Sequence, residues 1–192
     1  MKSTTKRLAA LVLATCSMTA NAALITYRAT LGPEAVGATG SGSVELVYDS
    51  VALSLSIDAN WSGLSGTTTI AHIHCCTAAP FTGTVGVAVT PGTLPGFPVG
   101  VTSGTYLRSI DLDTGTSFTG AFVTNFGGGT LAGARAALFD GLDAGKGYFN
   151  IHTTRFPSGE IRGFPQPVPE PGTLALLGLG LAGLAASRRR KQ

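Results

Sequence analysis

Over most of this 192-residue chain the apolar positions come in short runs spaced by two, not by three or four. The run from residue 51 to 57 alternates, with Val51, Leu53, Leu55 and Ile57 on one face and Ala52, Ser54 and Ser56 on the other. That period belongs to a half-buried strand. Leu24–Leu31, Ser43–Tyr48, Ala52–Ala59, Thr68–His74, Val85–Val89, Thr105–Leu112 and Tyr148–His152 share this character, rich in β-branched or aromatic residues and punctuated by Gly, Pro and Asp. Thr90–Gly100 holds three prolines and three glycines and predicts a loop. Leu131, Arg135, Leu138 and Leu142 fall at helical spacing, so one short helix is expected over Leu131–Leu142. Short strands between turn signals predict an all-β domain, an antiparallel β-sandwich of immunoglobulin-like or superoxide-dismutase-like type.

The two ends break this pattern. Residues 1–22 carry Lys2, Lys6 and Arg7, an apolar stretch Leu8–Ala14, and small residues at Ala20 and Ala22, the layout of a secretory signal peptide. Residues 166–192 form a tail: Val168, Pro169, Glu170 and Pro171, then the uncharged run 173–187, then four cations, Arg188 to Lys191. As a helix that run reaches roughly 22 Å, short of a hydrocarbon core of about 30 Å, so it predicts a short transmembrane segment. The cations place its end on the cytoplasmic side and the domain on the other. Pro169 and Pro171 hold Glu170 in an extended segment that an enzyme can grip.

Removing the ends changes the charge. Of thirteen Lys and Arg, three lie in the leader and four in the tail; nine of the ten acids lie between 23 and 169, so the 23–165 domain carries about 6 − 9 = −3. The basic character of the whole chain is therefore a property of its targeting segments. A nucleic-acid partner needs cations clustered on the folded domain and is not expected. Gly178, Gly180 and Gly183 copy a dinucleotide fingerprint but lie in an apolar tail, without the strand and acidic residue that motif requires.

The tail resembles the PEP-CTERM sorting signal of Gram-negative bacteria, with the Pro-Glu-Pro motif, the apolar run and the basic end in order. The resemblance implies an exosortase-type processing enzyme as partner and transient residence in the inner membrane. The destination it implies is the cell surface or the extracellular matrix, where an extracellular polymer or protein would be the further partner.

The domain's chemistry rests on few residues. His72 and His74 flank Ile73 in a predicted strand, so both rings share a face, and Cys75 and Cys76 follow directly. His152 is in a second strand. Two imidazoles at this spacing, closed by a third, are candidate ligands for Cu or Zn, and the cysteines are candidates to join them. Three histidines are too few for a copper–zinc pair, and both methionines, Met1 and Met18, lie in the leader, so a blue-copper axial ligand is lacking. The competing reading has the rings hydrogen-bonding to Glu160, Asn150 or backbone. In an oxidising exterior the adjacent cysteines are expected to form a vicinal disulfide, with pairing between chains as an alternative. Glu160 and Arg162 alternate around Ile161, which predicts a shared side and a bidentate Glu–Arg contact to a neighbouring strand. No catalytic residue is assigned, and no enzyme activity is expected.

Ala71-His72-Ile73-His74, then Gly147 to Thr153, then Pro157 to Gly163 resemble the CHRD domain, first described in chordin and present singly in exported bacterial proteins. The likeness implies an all-β domain and no particular enzyme. Cys75-Cys76 stands where that family often has Gly-Pro. The expectation is an exported, non-catalytic surface or matrix protein; the alternative is a metal-binding or redox module built on the three histidines.

Overall fold

The computed structural model describes residues 24–169, together with the isolated positions 178, 180 and 181. The expected leader 1–22, Glu170, Pro171 and nearly all of the expected span 173–187 lie outside the described residues. Among the described residues no helix is long and apolar enough to cross a membrane.

Among the described residues 24–169, nine strands and two helices follow in the order β1 (Leu24–Pro33), β2 (Ser41–Asp49), β3 (Ser54–Ser62), β4 (Thr68–His74), β5 (Val87–Val89), β6 (Gly104–Asp111), α1 (Gly120–Asn125), α2 (Leu131–Asp143), β7 (Tyr148–Thr153), β8 (Ile161–Gly163) and β9 (Gln166–Pro167). Every pairing is antiparallel, in the order β5-β4-β7-β8-β1-β2-β3-β6, with β9 added to β1. β1 joins the two halves: its length pairs with β2, and its last residues, Gly32 and Pro33, pair with Arg162 and Ile161. The sheet curls over itself into the expected sandwich.

The core forms where the inner faces meet. Tyr27, Leu31, Val44, Leu46, Leu55 and Ile57 from one half share a buried cluster with Ala71, Ile73, Phe149, Ile151 and Ile161 from the other. β2, β3, β4 and β7 supply alternate residues to that cluster, as the period of two requires. The helix α2 closes one end, stacking Phe139 on Tyr48 with ring centroids 3.7 Å apart, while the Tyr27 hydroxyl donates to Asp143 at 2.9 Å.

The sequence and the structure differ in three places. The alternation begins at Leu55, not at Val51, which is 66% exposed. The reason is local: the Asp49 carboxylate accepts from the N–H groups of Val51 and Ala52 at 2.9 and 2.8 Å, so 50–53 is a turn. A second helix, α1, precedes the expected one, capped by the Thr119 hydroxyl accepting from Phe122 N. The third difference is β9, which extends the sheet by two residues beyond β8.

Candidate functional site

Ala71 and Ile73 point into the core, so His72 and His74 lie on the opposite face of β4. The β4–β7 register sets His72 across from Asn150 and His74 across from Tyr148, with His152 two pairs further along, opposite Ile70. Arg162 faces Asn150 from β8. An outer sheet face is ordinarily wet, but this one is covered. His72, His74 and His152 are only 6, 8 and 8% exposed, and Asn150 is 1% exposed.

The cover consists of backbone. His72 Nε2 meets the Gly92 carbonyl, His74 Nδ1 meets the Val85 carbonyl at 2.8 Å, and His152 Nδ1 meets the Pro157 carbonyl at 2.8 Å. A carbonyl only accepts, so each of these ring nitrogens must carry the hydrogen and donate. In a neutral ring the other nitrogen then presents a bare lone pair: His72 Nδ1, His74 Nε2 and His152 Nε2. One ligand atom from each histidine lies within 4.8 Å of those of the others. His72 Nδ1 and His152 Nε2 are 3.1 Å apart, and His74 Nε2 is buried without a hydrogen-bond partner among the described residues.

Burial pushes the His72 pKa down to about 4 against the raising effect of the Gly92 carbonyl, and it pushes His74 down as well. Both rings are therefore neutral near pH 7, the form that binds metal. A hydrogen bond from the non-ligating nitrogen to a carbonyl is the usual way a metal-binding imidazole is oriented.

A second layer steadies this face. Asn150 Nδ2 donates to Glu34 Oε2 at 3.3 Å, which leaves its Oδ1, a further acceptor, 3.1 Å from the bare His152 Nε2. Arg162 pairs with Glu34 at 3.4 Å, donates to the Gly83 carbonyl at 2.9 Å, and lies over the Tyr148 and Phe164 rings. Gly159, at φ +126°, lies against Glu34 so closely that any Cβ there would collide with its carboxylate. Glu34 and the three carbonyls carried no signal in the sequence. A lone acid after a strand and a backbone oxygen look like any other.

The remaining expected residues are placed as follows. Cys75 and Cys76 form the vicinal disulfide, and their sulfurs approach the Ala137 carbonyl under α2, so they do not join the histidines. The reason is again the period of two: Cys75 follows Ile73 into the core, where it is 1% exposed. Glu160 and Arg162 are also separated. Glu160 precedes β8 and is wholly buried, accepting from Ser65 N and Oγ, both at 2.6 Å, from Thr153 Oγ1 at 2.7 Å and from Gly66 N at 3.2 Å. The expected Glu–Arg contact exists, but Arg162 makes it with Glu34, and through one nitrogen rather than two. Of the sorting motif, Val168 donates its N–H to Thr26 at 2.7 Å, which ties the start of the tail to β1.

A curled antiparallel sandwich with a covered histidine cluster, followed directly by a sorting tail, defines an exported β-domain protein. Comparison with known families agrees at both levels. The CHRD domain family matches residues 22–164, most of the chain, and the PEP-CTERM protein-sorting motif matches residues 167–191. The chain belongs to the CHRD domain family, and its tail marks it for export and for processing by an exosortase. No curated protein and no solved structure matches it.

Proposed function

We propose that this protein works outside the cytoplasm as a non-catalytic, metal-binding CHRD module, holding one Cu or Zn ion between His72, His74 and His152. The carrying observation is the count of bare lone pairs. Three imidazoles, each directing its other nitrogen at a backbone carbonyl, turn acceptor nitrogens toward one another, with two of them 3.1 Å apart. A proton can bridge one such pair, and a metal ion can take all three. Ligand bonds of about 2.0–2.1 Å at tetrahedral angles put neighbouring nitrogens roughly 3.3–3.4 Å apart, within a few tenths of an ångström of the closest pair. The sorting tail supports release or attachment at the surface of a Gram-negative cell or in its matrix, with an extracellular polymer or protein as partner.

Elemental analysis of the exported protein, purified from cells grown with added copper or zinc, tests the reading. One equivalent of metal is expected, and it should be absent from a His72→Ala, His74→Ala variant whose circular dichroism stays that of a folded sheet. Metal-free wild-type protein that stays so after incubation with both ions would reject the module.

A further inference from the structure

The charge around the histidines is informative beyond the ligand count. Each ring's second nitrogen donates to a neutral carbonyl, those of Gly92, Val85 and Pro157, and none donates to a carboxylate. No thiolate is at hand, because Cys75 and Cys76 are bonded to each other and lie against α2. The carboxylate of Glu34 reaches the cluster only through Asn150 Nδ2 and is matched by Arg162. Glu160 spends its oxygens on Ser65, Gly66 and Thr153. Among the described residues the ligand shell is therefore neutral, nine-tenths buried, and has no anion of its own to balance an ion.

We infer that the resident ion is monovalent copper. The cost of moving an ion out of water grows with the square of its charge, so a dication in a shell without anions is far more costly than a monocation. Zn²⁺ also seeks a fourth ligand, and Asn150 Oδ1, 3.1 Å from His152 Nε2, is a neutral and weak one. Cu⁺, whose single charge needs no anion in the shell, accepts three imidazoles alone. The inference rests on the metal-site reading above and adds the ion's charge to it.

Anaerobic titration of the exported, full-length mature protein with Cu⁺ against a chromophoric chelator, and with Zn²⁺ against another, measures both affinities. Cu⁺ is expected to bind at one equivalent and at least about a thousandfold more tightly than Zn²⁺. The copper form should also stay silent in electron paramagnetic resonance when handled in air. Asn150→Asp then tests the cause: it places a carboxylate at the cluster without changing its size. That variant should narrow the Cu⁺ over Zn²⁺ preference by about tenfold or more. Zn²⁺ binding as tightly as Cu⁺ in the wild type, or a preference unmoved by a folded Asn150→Asp variant, overturns the monovalent assignment and leaves the metal site standing. Failure of both ions to bind rejects the site itself.

Discussion

Replacing Glu160 by Gln tests the contact that locks the His152 side of the site. Glu160 is wholly buried, and its two oxygens gather four short or moderate hydrogen bonds from Ser65, Gly66 and Thr153. These bonds join the 63–67 segment, the end of β7 and the turn that carries Pro157, whose carbonyl orients His152. Gln keeps the shape, loses the charge and turns one acceptor into an NH₂ donor. The Thr153 hydroxyl can rotate to accept from it, but Gly66 N–H is left facing another donor. A hydrogen bond to a charged group contributes about 1.5–3 kcal/mol and a neutral one about 1, while an orphaned buried donor costs about 1–3. Weakening two or three bonds and orphaning one gives a loss of roughly 3–5 kcal/mol, a large share of the ~5–15 kcal/mol that holds a domain together.

The assay for this variant is urea unfolding of metal-free protein, followed by the fluorescence of Trp61, the single tryptophan, which is 3% exposed against Phe97. pH supplies a second reading. Burial alone would raise the Glu160 pKa, but the bonds from Ser65, Thr153 and Gly66 outweigh it and hold the value below the ordinary glutamate range. A carboxyl depressed in the folded state contributes stability that is present above its unfolded value and lost as pH falls through the folded one. Wild-type stability should therefore decline on acidification below the ordinary glutamate range, and Glu160→Gln should lack that part of the decline. A loss under about 1 kcal/mol, or an unchanged acid slope, would refute the assignment of Glu160 as a charged clasp.

Gly141 of α2 faces both sulfurs of the disulfide, with no room for a Cβ. Gly141→Ala should cost about 1–3 kcal/mol in a urea midpoint, and much less when Cys75 and Cys76 are both alanine. Thr130→Ala removes the hydroxyl that caps α2 at Gly133 N and should cost about 1 kcal/mol by the same measurement. Glu34→Gln keeps Asn150 within reach of an amide oxygen but releases Arg162, so metal affinity should fall by about tenfold or more while the fold persists, read by chelator competition. Glu170→Ala should leave the tail uncut, seen as a mature species that still ends in Gln192 by intact mass.

How far the sequence could be read depended on how local the information was. Thr68–His74 was delimited to the residue, because two histidines alternating with Ala71 and Ile73 state both the period and the faces. That His152 would meet them needed the β4–β7 register, which pairs segments about eighty positions apart and leaves no trace in spacing. The helix α1 was hidden because Gly120-Ala-Phe-Val-Thr-Asn125 is short and contains poor helix formers; its cap and the packing of Phe122 sustain it. The Glu–Arg contact was foreseen with the wrong acid. Glu34 reaches Arg162 only because β1 crosses between the two halves and pairs with β8, whereas Glu160, closer in sequence, is drawn back to Ser65 and Thr153.

The sorting tail bears on the histidine cluster through the compartment it implies. An exported chain matures where thiols oxidise, and there Cys75 and Cys76 close on each other. The closure has two effects at once. It places a rigid pair of sulfurs against α2 at the core side of β4, and it removes the only soft anionic ligands near His74 in sequence. Inside the cell the same cysteines, one residue beyond His74, would be thiols able to compete for a soft metal before the sheet forms. Outside, the imidazoles face no such competitor, and an ion bound as proposed would meet a neutral shell already oriented by three carbonyls. The compartment that the sorting tail implies thus selects which of the candidate ligands are available in the domain.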